Sequence, residues 1–261
     1  SSDLLEALNF LCQEDRQGIL VTNVSGIKLL LPSPKVFASS IFQLKVGKEI
    51  DLTTLSETLQ KIGYQKVNQV LQQGEFCLRG DILDIFEIEQ LQPYRIEFFG
   101  DEIDGIRIFD PESQRSVENV EEVQLKAVSD LLLQEEDFIR GQKQIEQLQE
   151  QSANEEFKSY LAEILGDISQ RKLHPDLRKF ISFFYEKQYT LFDYLPKHTP
   201  VFLDDYQKIA DQIARFELDT ANLLTEDLHK NRASSRQVYF ADTSTTLRKY
   251  TPATYFSNFQ K

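Results

Sequence analysis

The 261-residue chain has no tryptophan and no methionine, and it has only two cysteines and three histidines. Cys12 and Cys77 lie far apart and have no metal or disulfide spacing, so we expect a reducing, cytoplasmic location. The dispersed histidines predict no metal site. Because no initiating methionine is present, we expect the chain to be a fragment of a longer protein.

Positive charge is scarce as well, since 29 basic residues face 42 acidic ones and the net charge is −13. This balance excludes a protein that holds duplex DNA mainly by neutralising phosphates, unless its bases are locally concentrated. No apolar run reaches the roughly 18 residues that span a bilayer, and the first ten residues lack the basic start of a signal peptide. The hydrophobic content of 41% is that of a globular protein with a real core.

The order of the sequence patterns predicts an α/β chain with a β-rich middle. Apolar residues at helical spacing predict a helix over Asp51–Gly63, with Asp51 as its N-cap, and the apolar run Gly18–Val24 predicts a buried strand. Tyr64–Leu125 alternates β-branched and aromatic residues with charges and predicts a meander of strands. Further helices are predicted at residues 3–11, 137–149, 155–168, 176–187 and 205–228, and further strands at 201–203 and 238–241.

These patterns divide the chain into three stretches. Residues 1–41 and 126–261 are predicted to be two segments of one α/β domain, with residues 42–125 as a β-rich α+β module inserted between them. The net charge is concentrated in this module, because residues 74–125 hold 14 acids, four arginines and no lysine. Arginines isolated in an acidic field are either part of a solvated sheet face or placed for recognition of a partner.

Tyr94–Asp110 predicts a hairpin that turns at Gly100-Asp101, since glycine in the first position of a two-residue loop suits a type II′ turn. In this register one face is apolar and should lie on the core. The other face carries Arg95, Glu97 and Phe99, with Glu102 and Asp104 across from them. Phe99 either packs under a neighbouring element or is an exposed aromatic anchor for a protein partner.

Motifs of a working catalytic or nucleotide site are missing. Gly100–Arg107 has the glycine spacing of a phosphate-binding loop without its Lys and Ser/Thr, so we reject it. Asp204 and Asp205 follow an apolar strand, as in a Walker B element, whose first acid holds Mg²⁺ and whose second, normally Glu, orients water. Because no P-loop is present, a strand end followed by a helix N-cap describes this degenerate Walker B better.

Gly74–Phe86 (GEFCLRGDILDIF), Tyr94–Asp110 and Ser113–Val120 resemble the N-terminal UvrB-like region of the bacterial transcription-repair coupling factors. They also resemble domain 2 of UvrB, the excision-repair helicase that loads at damage. Thr190–Asp205 resembles the UvrB stretch that leads into its acid box, but Asp205 departs from that box. The resemblance covers nearly the whole chain and implies a degenerate helicase-like (RecA-like) α/β domain, incomplete at its N-terminus, with the β-rich module inserted.

The resemblance also implies a function. The coupling factors find RNA polymerase stalled at a DNA lesion, displace it with a separate motor and recruit UvrA for nucleotide excision repair. The UvrA-contacting residues of the family match Arg79, Arg95 and Phe99. This fragment would be a non-catalytic adaptor without cofactor or metal. ATP and Mg²⁺ would belong to the motor of the parent chain, which reaches polymerase and DNA through other domains.

Two other functions stay open. A UvrB-type fragment of an ATP-dependent, damage-loading helicase would hydrolyse ATP, which we do not expect here. Direct binding of nucleic acid would use the most basic stretch, Arg171–Lys179, with Arg248-Lys249 as a lesser patch. A solvated helix face is the simpler interpretation of that stretch.

Overall fold

The computed structural model describes residues 2–242 and 254–256, which form a mixed α/β structure, as predicted. The chain divides into two compact units. Unit 1 consists of Ser1–Glu14 and Lys35–Leu132, and unit 2 of Asp15–Pro34 and Leu133–Lys261. The first 14 residues therefore pack with the β-rich module rather than with the second half of the chain, and unit 1 continues seven residues beyond the predicted end of the module at residue 125.

The elements follow one another along the chain without a repeat. The α-helices are α1 (Ser2–Leu11), α2 (Val24–Lys28), α3 (Pro34–Ser39), α4 (Leu52–Lys61), α5 (Glu135–Gln151), α6 (Glu155–Ser169), α7 (Ile181–Phe184) and α8 (Tyr206–His229). The strands are β1 (Phe42–Lys45), β2 (Gln65–Lys66), β3 (Glu75–Arg79), β4 (Ile82–Ile85), β5 (Tyr94–Phe99), β6 (Glu102–Phe109), β7 (Ser116–Val120), β8 (Glu122–Leu125), β9 (Phe202–Asp204) and β10 (Thr254–Phe256). Short 3₁₀ helices lie at Leu177–Phe180 and Leu191–Tyr194.

Unit 1 is built on a six-stranded sheet with the order β2-β3-β4-β5-β6-β7. Its strands pair antiparallel except for β2, which runs parallel to β3. One face is apolar and buried, as the alternation of the sequence predicts, and includes Leu83, Ile85, Ile96, Phe98 and Ile106. The predicted meander is therefore correct, and the opposite face of the same strands is left for charged side chains.

Unit 1 also contains helix α4 and a two-stranded pair of β1 and β8. Helix α4 begins where it was predicted, because the Asp51 carboxylate accepts a hydrogen bond from the Thr54 N–H at 2.7 Å. It ends before Gly63, whose φ of +103° reverses the chain. Strands β1 and β8 pair antiparallel, with Phe42 opposite Leu125, so the two ends of the predicted module lie side by side.

Unit 2 is mainly helical. Helix α5 packs closely on α7 because Gly141 lies against the Phe184 ring, where a Cβ atom would come within 2.3 Å of ring carbons. Helix α2 contacts α8 through the buried Lys28, whose ammonium lies 2.9 Å from the Glu217 carboxylate. Strand β9 pairs in parallel with β10. The helices predicted at residues 137–149, 155–168 and 205–228 are all present.

Three local predictions for unit 2 are wrong. Residues 18–23 form no strand, and Ile19 and Val21 are exposed, so the β-branched run has no partner strand among the described residues. Residues 176–187 form a 3₁₀ turn followed by the short α7 rather than one continuous α-helix, although Leu177, Phe180 and Phe184 are buried at helical spacing. Residues 238–241 are not a strand, although the Ala241 N–H donates to the Lys28 carbonyl.

A buried acid stands out in unit 1. Glu87 is only 1% exposed, and its Oε2 accepts a hydrogen bond of 2.8 Å from the Glu89 N–H. Its Oε1 has no partner among the described residues, nor have the nearby buried Tyr64 hydroxyl and Asn9 Oδ1. Burial raises the pKa of the Glu87 carboxyl above its ordinary value of 4.5, and the neighbouring Lys126 only partly opposes this. The charged form of Glu87 is therefore unfavourable in the folded protein.

We expect Glu87→Gln to raise the melting temperature at pH 7. The native state favours the protonated acid, so the stability that this proton contributes is present below pH 4.5 and is lost as the pH rises through the raised pKa. The difference between variant and wild type should therefore shrink toward pH 4. Thermal unfolding followed by circular dichroism from pH 4 to 8 measures it, with the exposed Glu118→Gln as control. A gain that does not depend on pH would contradict this explanation.

Candidate functional site

The outer face of the six-stranded sheet carries the charged side chains of unit 1. Register places Asp84, Arg95 and Arg107 side by side on β4, β5 and β6, and the next row outward contains Arg79 and Glu97. The same strands bury their other face, so these side chains are held on a rigid support. The sequence predicted Arg79 and Arg95 here, and the structure brings both together.

The two arginines meet on one carboxylate. Arg79 Nη2 lies 2.6 Å from Asp84 Oδ2, and Arg95 donates to both oxygens, from Nε at 2.7 Å and from Nη2 at 2.9 Å. The Asp84 side chain is only 2% exposed. A buried carboxylate is stable only when charged partners compensate for its lost hydration, and two guanidinium groups do so here. We call Arg79, Asp84 and Arg95 the arginine clasp.

Arg95 is the more enclosed of the two arginines. Its side chain is 17% exposed, its Nη2 also donates to Gln114 Oε1 at 3.0 Å, and its guanidinium stacks 4.5 Å from the centre of the Phe109 ring. Hydrogen bonds to Asp84 raise the pKa of Arg95 above its ordinary value. Arg79, by contrast, is 50% exposed. The two predicted contact residues are therefore unequal, and Arg79 presents much more of its charge to solvent.

Phe99 lies at the end of β5 with 82% of its surface exposed. The predicted two-residue loop is present, since Phe99 pairs with Glu102 and Gly100 has a φ of +63°. Asp101 is not among the residues with positive φ, which fits a type II′ turn. Phe99 is thus not covered by another element, and a large exposed aromatic side chain on this face is the geometry of an anchor for a partner.

The hairpin tip is fixed by a segment about fifty residues earlier in the chain. The Gly47 N–H donates to the Ile103 carbonyl at 2.8 Å, and the Ile103 N–H donates to the Lys48 carbonyl at 3.0 Å. The Ile50 N–H reaches the Asp101 carbonyl at 2.8 Å. These bonds hold the β6 side of the turn, and Phe99 pairs with Glu102 on that side. Phe99 therefore projects from an ordered backbone, and its position costs little ordering on binding.

A bulge corrects one detail of the predicted hairpin. Glu97 pairs with Gly105 and Phe98 with Ile103, so Asp104 is the extra residue and does not stand across from Glu97. The sequence analysis missed Gln114, which accepts a hydrogen bond from Arg95. Arg107, one of the four arginines of the acidic stretch, forms an ion pair with Glu97. Gln114 itself has a left-handed backbone, with a φ of +61°. A residue other than glycine rarely adopts this conformation, so the sequence does not indicate it.

Asp204 and Asp205 have different structural roles, one at the end of a strand and one at the start of a helix. Asp204 ends β9, and Asp205 is the N-cap of α8, where its Oδ1 accepts a hydrogen bond of 3.2 Å from the Lys208 N–H. Asp205 also has a left-handed backbone with a φ of +56°. This is the strand end and helix cap that the sequence analysis favoured over a working Walker B element.

The basic stretch Arg171–Lys179 is largely neutralised within unit 2. Arg171 forms an ion pair with Glu135 and stacks 5.3 Å from the centre of the Phe138 ring. Lys179 lies 2.9 Å from the buried Asp227 carboxylate. Cations engaged in this way are poorly placed to neutralise phosphates, which favours the interpretation of this stretch as a solvated helix face. Arg248-Lys249 lie outside the described residues.

Among residues 2–242 no three acidic, cysteine or histidine side chains come together as a metal site could require. Within the same range no helix is long and apolar enough to cross a membrane. The Arg79, Asp84, Arg95 and Phe99 surface is therefore the feature of unit 1 whose charge and exposure most need a functional explanation.

The comparisons with known proteins bear on this surface. A family model described as the UvrB interaction domain matches residues 42–130, which contain the clasp and Phe99. Residues 42–130 are therefore similar to UvrB interaction domains. Residues 42–125, the predicted module, lie within the matched range.

The whole chain is similar to longer proteins. A transcription-repair coupling factor of Bacillus subtilis is 30% identical over 82% of this chain, which covers 19% of that protein. One of Staphylococcus aureus is 30% identical over 99% of the chain, covering 23% of its own length. The resemblance to these factors found in the sequence is thus confirmed. The chain spans about a fifth of the length of these curated relatives.

We expect Arg95→Ala to destabilise unit 1 by on the order of 2 kcal/mol, because it leaves the buried Asp84 with half its partners. Arg107→Ala is the matched control. Its ion pair with Glu97 is about one third exposed on both sides and should contribute less than about 1 kcal/mol. Urea unfolding of both variants measures the two free energies. Equal losses would show that Asp84 does not depend on Arg95.

Proposed function

We propose that this chain is a non-catalytic adaptor module of a transcription-repair coupling factor that recruits UvrA to lesions where RNA polymerase has stalled. The observation that carries the proposal is Phe99, which is 82% exposed beside the arginine clasp within the UvrB interaction domain. Similarity to coupling factors over most of the chain supports a role in transcription-coupled repair.

The chemistry of this surface suits a partner with a carboxylate beside an apolar pocket. Arg79 keeps an exposed guanidinium, which can donate to a carboxylate in charge-assisted bonds. The Phe99 side chain is wholly apolar, so its transfer from water into a pocket of the partner is favourable and contributes to the binding affinity. The acidic residues next to Phe99 at the hairpin tip, Asp101 and Glu102, disfavour acidic partners that lack this match.

The remainder of the chain fits a supporting role. We propose that unit 2 is a degenerate helicase-like domain without ATPase activity, as the capping role of Asp205 suggests. In this view ATP, Mg²⁺, DNA and RNA polymerase are bound by other domains of a longer, cytoplasmic parent protein. The low share of the relatives that this chain covers supports such a division of labour.

We expect Phe99→Ala to weaken binding of purified UvrA by about 2 kcal/mol, or roughly 30-fold, because an exposed aromatic anchor is lost. Its melting temperature should not change, since the side chain packs against little. Isothermal titration calorimetry measures the affinity, with Leu91→Ala as control because Leu91 is 93% exposed on the loop before β5, at the opposite end of that strand from Phe99. Wild-type affinity in folded Phe99→Ala would refute the proposal.

We expect the purified chain to release no phosphate from ATP and Mg²⁺ above the background rate. The reason is that Asp205 is used as a helix cap and that the sequence has no P-loop. A phosphate-release assay with and without single-stranded DNA tests this. Hydrolysis that disappears in Asp204→Asn would instead favour a fragment of a UvrB-type helicase.

A further inference from the structure

Asp84 of the arginine clasp is not among the residues that the family resemblance assigned to UvrA binding. Asp84 is almost inaccessible and cannot touch a partner, yet it binds both arginines of the proposed surface, at 2.6 Å from Arg79 and at 2.7 and 2.9 Å from Arg95. It lies on β4, between the strands that carry the two arginines. No sequence pattern separates Asp84 from the other acids of residues 74–125.

The two arginines depend on Asp84 to different degrees. Arg95 is also held by Gln114 and by stacking on Phe109, so several contacts fix its head group. The one hydrogen bond described for the Arg79 side chain is its contact with Asp84, and half of that side chain is exposed to solvent. A long side chain without such a contact moves among many rotamers and loses this freedom on binding.

We infer that Asp84 is a positioning residue of the proposed UvrA surface, which holds the exposed Arg79 guanidinium in its binding geometry before the partner arrives. The inference rests on the proposed function and adds to it the reason why Arg79 is ordered in the free protein. Asp84 orients Arg79 with one oxygen while Arg95 braces the same carboxylate from the other side. The partner then meets a preformed donor fork on the same sheet face as Phe99.

Electrostatics alone predicts the opposite effect of removing this charge. The clasp joins two positive groups to one negative group, so Asp84→Asn makes the surface more positive and should strengthen attraction to a partner carboxylate. If Asp84 acts by holding Arg79, the same substitution weakens binding, because Arg79 must then be ordered at the moment of binding. The sign of the change therefore separates the two explanations.

The experiment is a double-mutant cycle in the full 261-residue chain, with the affinity for purified UvrA as readout. We expect Asp84→Asn to bind about tenfold more weakly, the effect of ordering one rotamer-rich side chain. In an Arg79→Ala background it should cause little further loss, because the side chain that it positions is gone. Asp104→Asn removes an exposed charge from the same sheet and is the control for net charge.

Folding is monitored separately by circular dichroism and thermal unfolding. Unchanged or tighter binding by folded Asp84→Asn overturns the inference, and so does an equal loss in the Arg79→Ala background. The latter would mean that Asp84 acts through the fold or through Arg95 alone. If wild-type chain does not bind UvrA, the proposed function itself fails, which the cycle shows before any variant is compared.

A measurement on the wild-type chain keeps the inference testable if Asp84→Asn does not fold. Nitrogen-15 relaxation of the Arg79 Nε–H group reports its motion on the picosecond to nanosecond scale. We expect order close to that of the rigid backbone, with Arg115, exposed on the same unit, as a mobile reference. Free motion of the Arg79 guanidinium in the absence of UvrA overturns the inference.

Discussion

The carboxylate of Asp84, buried between two guanidinium groups, is the constraint on which the outer face of unit 1 depends. A charge that has lost its water must keep its partners, so the strands that carry Arg79 and Arg95 must stay in the register that brings them there. A slip of one residue would turn Asp84 to the apolar face and leave it uncompensated. The interaction that fixes the sheet is therefore the same one that builds the candidate site.

The distance between the charged and aromatic parts of the surface follows from strand geometry. Arg95 and Phe99 are four residues apart on β5, which corresponds to about 14 Å at about 3.4 Å per residue. The backbone bonds from residues 47–50 prevent the tip from bending away. Because both ends of the surface belong to one rigid strand, a partner that fits one end has a defined place for the other.

The structural elements that were predicted correctly are those that local sequence signals determine. The meander, helix α4 with its cap at Asp51 and the turn at Gly100 all follow from residues close together in the chain. The exposure of Phe99 could not be decided, because it depends on which distant segment reaches the tip. The strand predicted at residues 18–24 failed for a related reason, since a β-prone run becomes a strand only if a partner lies beside it.

The site was predictable only in part. Periodicity placed Arg95 and Phe99 on one face, and a family resemblance was needed to add Arg79. The roles of Asp84 and Gln114 could not be predicted. In the sequence, one acid among 14 and a glutamine after a turn cannot be distinguished from solvated surface residues. Their importance comes from burial and from contacts across strands, which a linear pattern of charges does not contain.

The pairing of β1 with β8 has a consequence for how such a surface can spread between proteins. With Phe42 opposite Leu125, the chain enters and leaves the module about 5 Å apart, the separation of two neighbouring strands. A gene segment that encodes residues 42–125 could therefore be moved into a loop of another host without pulling that host apart. Arg79, Asp84, Arg95 and Phe99 all lie within this segment, so the recognition face would move together with it.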